Sequence, residues 1–168
     1  LRLLVWSIAA AFSIPWMSGP ALSQPVGGRA IHGTMNLSAT GNQTLVTTTN
    51  GANTLHSAIN WQGFSIPAGT STQFAQPNAQ STVINRVVTN NPSAIFGSLG
   101  SNGKSILVNP AGITIGSGAI VDTAAFTASA LQLSEFNARA GLLRFGDSQA
   151  SSSGLVQVDG HVLARSGD

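Results

Sequence analysis

The chain has 168 residues, of which 42% are apolar, enough for one β domain with a real core and too few for two domains. Only 7% are charged and the net charge is +2, against roughly 25% charged residues in an ordinary soluble domain. The seven basic residues are scattered without a stripe, so no nucleic-acid partner is expected, and the absence of cysteine excludes disulfides and thiolate metal sites and suits a chain that crosses an oxidising compartment unfolded.

Residues 1–23 read as a signal peptide. Arg2 supplies the positive start, and Leu3 to Ile14 is an apolar stretch too short to span a bilayer comfortably. Pro15, Gly19 and Pro20 end it, and Ala21-Leu22-Ser23 places small residues where a signal peptidase reads. Cleavage is expected before Gln24, leaving residues 24–168 as one domain.

After a short lead-in, Thr44 to Thr49 is a strand by its β-branched content, and Asn50-Gly51 signals a turn. Ile59 to Ile66 alternates apolar and polar residues, which turns Ile59, Trp61 and Ile66 inward. Pro67 to Thr70 is a turn, and Thr72 to Gln76 is a strand around Phe74. Ser81 to Val88 is a strand broken by Asn90-Asn91-Pro92, and Ile95 to Leu99 is a short strand or loop holding Phe96 inward. Ser101-Asn102-Gly103-Lys104 reads as a hairpin-like turn.

The units then shorten, with strands near 105–108, 112–115, 119–121 and 126–133. Between the first two lies Asn109-Pro110-Ala111-Gly112. Asn first, Pro second and Gly fourth is the chemistry of a type I turn. It is expected to be exposed between buried strands, with the Asn109 side chain bonding the backbone or a partner. Glu135 to Phe145 has helical tendency, Ser134 is placed to cap it, and a loop or one short turn is expected. Gly154 to Val158, an Asp159-Gly160 turn and Val162 to Ala164 complete the pattern. Ile106, Val108, Ile113, Ile115, Val121, Phe126, Val156 and Val158 are the expected core of this half.

Short strands with continuous turn chemistry suit a sandwich, a barrel or a β-solenoid. The short final units and the neutral polar residues, which tolerate stacking beside their own copies, favour the solenoid. A solenoid needs polar caps. None follows the last strand-turn unit, so the expectation is the first portion of a longer protein, truncated on its C-terminal side.

Catalytic and ligand-binding patterns are weak. Gly97 to Ser105 contains Gly-Lys-Ser, but five residues separate Gly97 from Gly103 where a phosphate loop needs four, and no helix follows. His32, His56 and His161 lack metal-ligand spacing. Polysaccharide cleavage needs two carboxylates on one groove; Asp122 and Asp147 are the pair that neighbouring coils would have to align, and Asp159 before Gly is a turn former. Trp61, Phe64, Phe74, Phe96, Phe126, Phe136 and Phe145 alternate with polar neighbours, so most are expected inside the coil and not on a sugar-stacking face. No catalytic residue, metal or cofactor is expected.

Several motifs occur in order. They are Ile59-Asn60-Trp61, Phe64-Ser65-Ile66, Phe74 with Gln76-Pro77, and Val83-Ile84-Asn85-Arg86-Val87. Asn91-Pro92-Ser93 with Ile95 and Gly97, Asn102-Gly103, Ile106 to Gly116 and Phe126-Thr127-Ala128-Ser129 follow, with Phe136, Ala138 and Phe145 beyond. From Ile31 to Phe145 the chain resembles the secretion domain of filamentous haemagglutinin-like exoproteins of Gram-negative bacteria, the two-partner secretion family, in the branch of high-molecular-weight adhesins and haem-acquisition exoproteins. The family's Asn-Pro-Asn-Gly-Ile hallmark stands here as Asn109-Pro110-Ala111-Gly112-Ile113. Ala111 lacks the third-position amide, although Ala is compatible with type I geometry.

The resemblance implies an all-β fold, a right-handed parallel β-helix with short additional β elements near the N-terminus. It implies a secreted or cell-surface protein, exported via the periplasm through an outer-membrane β-barrel transporter whose periplasmic domains recognise it. Asn109, Pro110, Ala111, Gly112 and Ile113 would form the secretion motif, and Asn85, Arg86, Asn91 and Pro92 a secondary motif. A host-cell or surface ligand would be engaged by a missing C-terminal region. The leading reading is a module that directs export of an adhesin and nucleates its β-helix. The alternatives are a secreted polysaccharide-active β-helix, which paired carboxylates would favour, and a carbohydrate-binding module, which an exposed aromatic row would favour.

Overall fold

Runs of three to seven residues rich in Val, Ile, Ser and Thr give strands too short to stand alone, so each is stabilised by a copy of itself one layer away. A computed structural model describes residues 24–146 and 154–165; the signal expected at 1–23 and Asp147 lie outside the described residues. In chain order the strands are β1 (Arg29–His32), β2 (Thr34–Thr40), β3 (Gln43–Thr49), β4 (His56–Trp61), β5 (Ser71–Ala75), β6 (Thr82–Val87) and β7 (Ser93–Ile95). There follow β8 (Ser98–Ser101), β9 (Lys104–Val108), β10 (Ile113–Ile115), β11 (Ile120–Thr123), β12 (Ala125–Ser129), the helix α1 (Glu135–Ala140), β13 (Val156–Val158) and β14 (His161–Ala164).

These strands form three sheets, ordered β1-β4-β6-β9-β12, β7-β10-β13 and β2-β3-β5-β8-β11-β14. Pairing is parallel throughout except β1 with β4 and β2 with β3, which are antiparallel. From β6 onward the chain visits the first, second and third sheets in turn and returns one strand spacing along, which is a parallel β-helix. The two antiparallel strands are the additional N-terminal elements, and the β2–β3 hairpin turns at Gly41, whose φ is 56°.

The coil shortens and then opens. Thr82 pairs with Lys104 and Lys104 with Ala125, coils of 22 and 21 residues. In the second sheet Ser93 pairs with Ile113 after 20 residues, but Ile113 pairs with Val156 after 43. The difference is an insertion that carries α1 back over the outer face of the first sheet. Ser134 caps the helix, its hydroxyl accepting from Asn137 N at 3.2 Å, and Gly141 ends it at φ 69°. The expected loop or single turn is therefore a six-residue helix.

The interior holds Val46, Ile59, Trp61, Phe64, Ile66, Phe74, Leu99, Ile113, Ile115 and Val121. Trp61 meets Phe64 edge-on at 5.6 Å, and its indole N–H donates to Asn85 Oδ1 at 2.9 Å, which satisfies the polar tip of that ring. A second cluster lies outside the coil, where Ile31, Ala58, Ile84, Ile106 and Val108 meet Leu133 and Ala138 of the insertion. Both faces of the first sheet are thus covered, which is why Ser57-Ala58-Ile59 and Val83-Ile84-Asn85 are buried without alternation.

Three expectations fail. Phe96 is 37% exposed; it lies outside the coil over Gly116, where a Cβ would clash with its ring, while its neighbour Ile95 takes the interior place. Val158 is 50% exposed and Val156 only half-buried, because their coil has a neighbour on one side alone among the described residues. Ser101 to Lys104 closes no hairpin. The strands it joins, β8 and β9, belong to different sheets, and the segment is a corner held by Asn102 Oδ1 accepting from Gln76 N at 2.7 Å and Asn102 Nδ2 donating to Gln76 O at 2.8 Å.

Candidate functional site

The corner between the first and second sheets, from β9 to β10, carries the Asn109 turn. Gly112 N donates to Asn109 O at 3.0 Å, closing the β-turn, and Ala111 N donates to Asn109 Oδ1 at 3.0 Å. Gly112 has φ 116°, where an L side chain is strained, and Leu155 O lies 3.3 Å from the position a Cβ would take.

The turn is not exposed at its first or fourth residue, contrary to expectation: Asn109 is 0% exposed and Gly112 is buried. A coil corner has a layer beneath it, and the amide points into that layer. Its Nδ2 donates to Asn91 O and Ser93 Oγ, both at 2.9 Å. Its backbone N–H donates to Ser129 O at 2.9 Å in the next layer. Asn109 therefore joins three coils and uses both ends of its side chain. Ile113 is buried in the core, and Gly154 N donates to Pro110 O at 2.8 Å.

What reaches solvent is a small stacked surface. Pro110 and Ala111 are partly exposed, and Asn91 and Pro92 are exposed one coil away, so two Asn-Pro steps lie one above the other. The structure thus brings Asn91 and Pro92 to the Asn109 corner. It does not bring Asn85 there, since that residue is spent inside on Trp61.

Arg86 faces outward from the same strand. Its Nε donates to Leu133 O at 2.8 Å and its Nη1 to Asn60 Oδ1 at 2.5 Å. Burial lowers its pKa and the Glu135 carboxylate opposes that shift; the group stays a cation at any physiological pH. Arg86, Val88, Val108 and Pro110 line one wall of a groove of about 240 Å³, and Gln132, Leu133 and Ser134 of the insertion line the other. The insertion is further held by Arg139 Nη1 donating to Ile31 O at 2.7 Å and by Glu135, which accepts from Arg139 at 2.6 Å and from Asn60 at 3.2 Å.

Sequence reasoning missed Ser93, Asn60, Glu135 and Arg139. Asn60 had a signal, because it lies in register beside Arg86 one coil away. Arg139 had none, since its acceptor at Ile31 is 108 positions distant. Among the described residues the acids do not converge: Asp122 pairs with Arg165 at 2.9 Å, Glu135 with Arg139, and Asp159 accepts from Gln157 at 2.6 Å. Trp61, Phe64 and Phe74 are interior as expected, whereas Phe136 is 76% exposed on α1.

Residues 24–168 match the sequence model of the TPS secretion domain. A heme/hemopexin-binding protein of Haemophilus influenzae strain Rd is 31% identical over 147 residues, a match covering 84% of this chain and 16% of that protein. A second heme/hemopexin-binding protein of Haemophilus influenzae is 34% identical over 87 residues, covering 52% of this chain and 9% of that one. The chain thus spans less than a fifth of either relative's length. The crystal structure of the HMW1 secretion domain from Haemophilus influenzae aligns with TM-score 0.75 at 36% identity, over 82% of this chain and 36% of that chain. The two share a right-handed β-helix with extra N-terminal strands.

Proposed function

The chain belongs to the TPS secretion domain family, whose members are non-catalytic modules that cross the periplasm to the cell surface or medium with an outer-membrane transporter as partner, and on that premise we propose what it exports and how it is read. It is the N-terminal secretion domain of a large exoprotein of adhesin or haemagglutinin type. It directs that protein through a cognate β-barrel transporter and nucleates the β-helix that follows. The observation that carries this is the family match across residues 24–168, joined to a solved secretion domain of the same fold.

The transporter's periplasmic domains read the stacked corner. Pro110 and Ala111 offer a rigid surface, and Asn91 and Pro92 extend it by one coil. Asn109, Gly112 and Ile113 hold that surface from beneath. Arg86 sets the wall of the adjoining groove, and Asn85 steadies the core below it. Nucleation has a simple basis. β1 and β2 close one end of the coil stack with antiparallel strands, while β12, β13 and β14 present parallel edges of the kind an added coil pairs with. A ligand on a host cell or surface is the business of chain beyond this domain.

The test is co-expression with the cognate barrel. Changing Pro92 and Pro110 together to Ala, at positions where the side chains are partly or fully exposed, is expected to cut export severalfold while the purified domain keeps its melting temperature within a few degrees. Undiminished export would remove the corner as a recognition surface. Export independent of any barrel would remove the secretion reading itself.

A further inference from the structure

Four layers stack on the outer side of the first sheet. The His32 ring, from β1, lies on the His56 ring, from β4, with centroids 4.3 Å apart and planes 21° from parallel. Gly51 covers the far side of His32, which leaves no room there for a Cβ, and Gly141 covers the far side of His56, where a Cβ would sit 2.8 Å from Cε1. Gly141 is the residue that ends α1. The pair is therefore clamped between the corner after β3 and the end of the inserted helix.

Each ring also has one hydrogen bond. His32 Nε2 lies 3.0 Å from Thr54 Oγ1, and His56 Nε2 lies 3.1 Å from Arg139 O, the second-last helical residue. The His56 contact suits a ring that donates to a carbonyl. Arg139 itself reaches past the stack to Ile31 O at 2.7 Å. A cation thus already stands beside two stacked imidazoles.

Among the described residues, the surrounding charges give a second cation no partner. On α1, Glu135 is committed to Arg139 and Asn60, and its carboxyl is held below the usual range, first by the hydrogen bond from Arg139 and then by that from Asn60. On β6, Arg86 is turned to Leu133 O. β1 adds Arg29, Lys104 of β9 lies in the register row that runs from His56 through Thr82, and Arg144 follows the helix. Apart from Glu135, every charged group on these elements is basic.

We propose that the His32–His56 stack is an acid-sensitive latch, which holds β1 and the 130–146 insertion on the coil while both rings are neutral and releases the insertion when a proton enters the stack. The released face would be Ile84, Ile106 and Val108, with the groove beside Pro110 opened at the Leu133 wall. The latch stands apart from the transporter reading, because it is a property of the domain alone. The direction of the proton effect agrees. Burial lowers the His32 pKa first, and His56 and Arg139 lower it further. A base with a depressed folded pKa leaves stability intact above its unfolded value and loses it as pH falls through the folded one. The window therefore opens below the ordinary histidine value of about 6.5.

The experiment is hydrogen exchange on the purified protein between pH 7.5 and 5. Protection of amides 135–142 is expected to fall by up to about tenfold per pH unit for each proton taken up, while amides of β8 to β11 change little. His32→Gln and His56→Gln should flatten that slope, and His161→Gln, on exposed β14, should leave it intact. Protection of 135–142 that does not vary with pH, or a slope untouched in His32→Gln, overturns the latch. If the variants fail to fold, an NMR titration of the parent decides: a His32 midpoint at or above about 6.5 overturns the proposal, and one clearly below it, moving with the 135–142 amides, supports it.

Discussion

The corner at Asn109 and the clasp of the insertion both hold distant segments together, and they do so by opposite means. At the corner a neutral amide is wholly buried and makes three side-chain hydrogen bonds to two coils. At the clasp two arginines and a glutamate work at the surface, and the closest ion pair, Glu135 with Arg139, is about half exposed on each side. Buried bonds resist opening because a broken one leaves orphaned polar groups. Surface ion pairs exchange readily with water and salt. The corner is thus the fixed part of the candidate site and the insertion its removable wall.

The sharpest break comes from the core under the corner. Ile113 is 1% exposed and follows the turn directly. Ile113→Asp would place an unpaired carboxylate among Ile95, Ile115 and their neighbours, and a loss of about 4 kcal/mol or outright unfolding is expected. Thermal or urea unfolding measures it. A variant that melts like the parent would mean that β10 is not interior.

Next in size is Asn109→Ala. On an exposed turn, as the sequence predicts, a single bond from Asn109 is worth about 1 kcal/mol, and its loss would harm export more than stability. Burial reverses that expectation. Ala leaves Asn91 O, Ser93 Oγ and Ala111 N without their partner, and a loss of about 2–3 kcal/mol is expected. Export and stability should fall together. If the melting temperature holds while export collapses, the amide is read by the transporter after all and the corner is not held rigid by its buried bonds.

Arg86→Gln tests the other region. It removes the bond to Leu133 O and weakens the contact with Asn60. Because the cation is only partly buried, about 1 kcal/mol of global stability is expected to go. Local opening should increase more clearly, seen as faster proteolysis within 130–146 and sensitivity to salt. Equal proteolysis in parent and variant would make the insertion as fixed as the corner.

These contrasts also mark what the sequence makes legible. Ile59, Trp61, Ile66, Ile113 and Ile115 were readable because alternation in a strand is local, and so was the type I turn, because Asn, Pro and Gly occupy it in order. Phe96 was misread because Ile95 and Phe96 compete for one inward place, and only the adjacent coil, with Gly116 beneath the ring, decides between them. The Ser101 to Lys104 corner carries the same turn residues as a hairpin; nothing local distinguishes them. The sequence marks the Asn109 side chain but not its side of the surface, since its direction depends on Asn91 and Ser93 one layer away. The clasp is the least legible part. Arg86 stood within a recognised motif, yet its acceptor, Leu133 O, is 47 positions on.

The smallest expected effect is the most discriminating for function. Ala111 is partly exposed, and the bond to its own N–H already comes from Asn109 Oδ1. Ala111→Asn restores the amide that the family's turn carries at this position without touching the buried network. Its effect on stability should stay within about 0.5 kcal/mol. Export through the cognate barrel should be unchanged or improved, because the added side chain points to where a partner would bind and not into the coil. An export gain at constant melting temperature would assign that amide to the transporter contact. No change would leave Pro110 and the backbone as what is read. A loss of export, with the fold intact, would show that the cognate transporter is fitted to alanine here, and would overturn the view that the corner keeps its recognition geometry whichever of the two residues it carries.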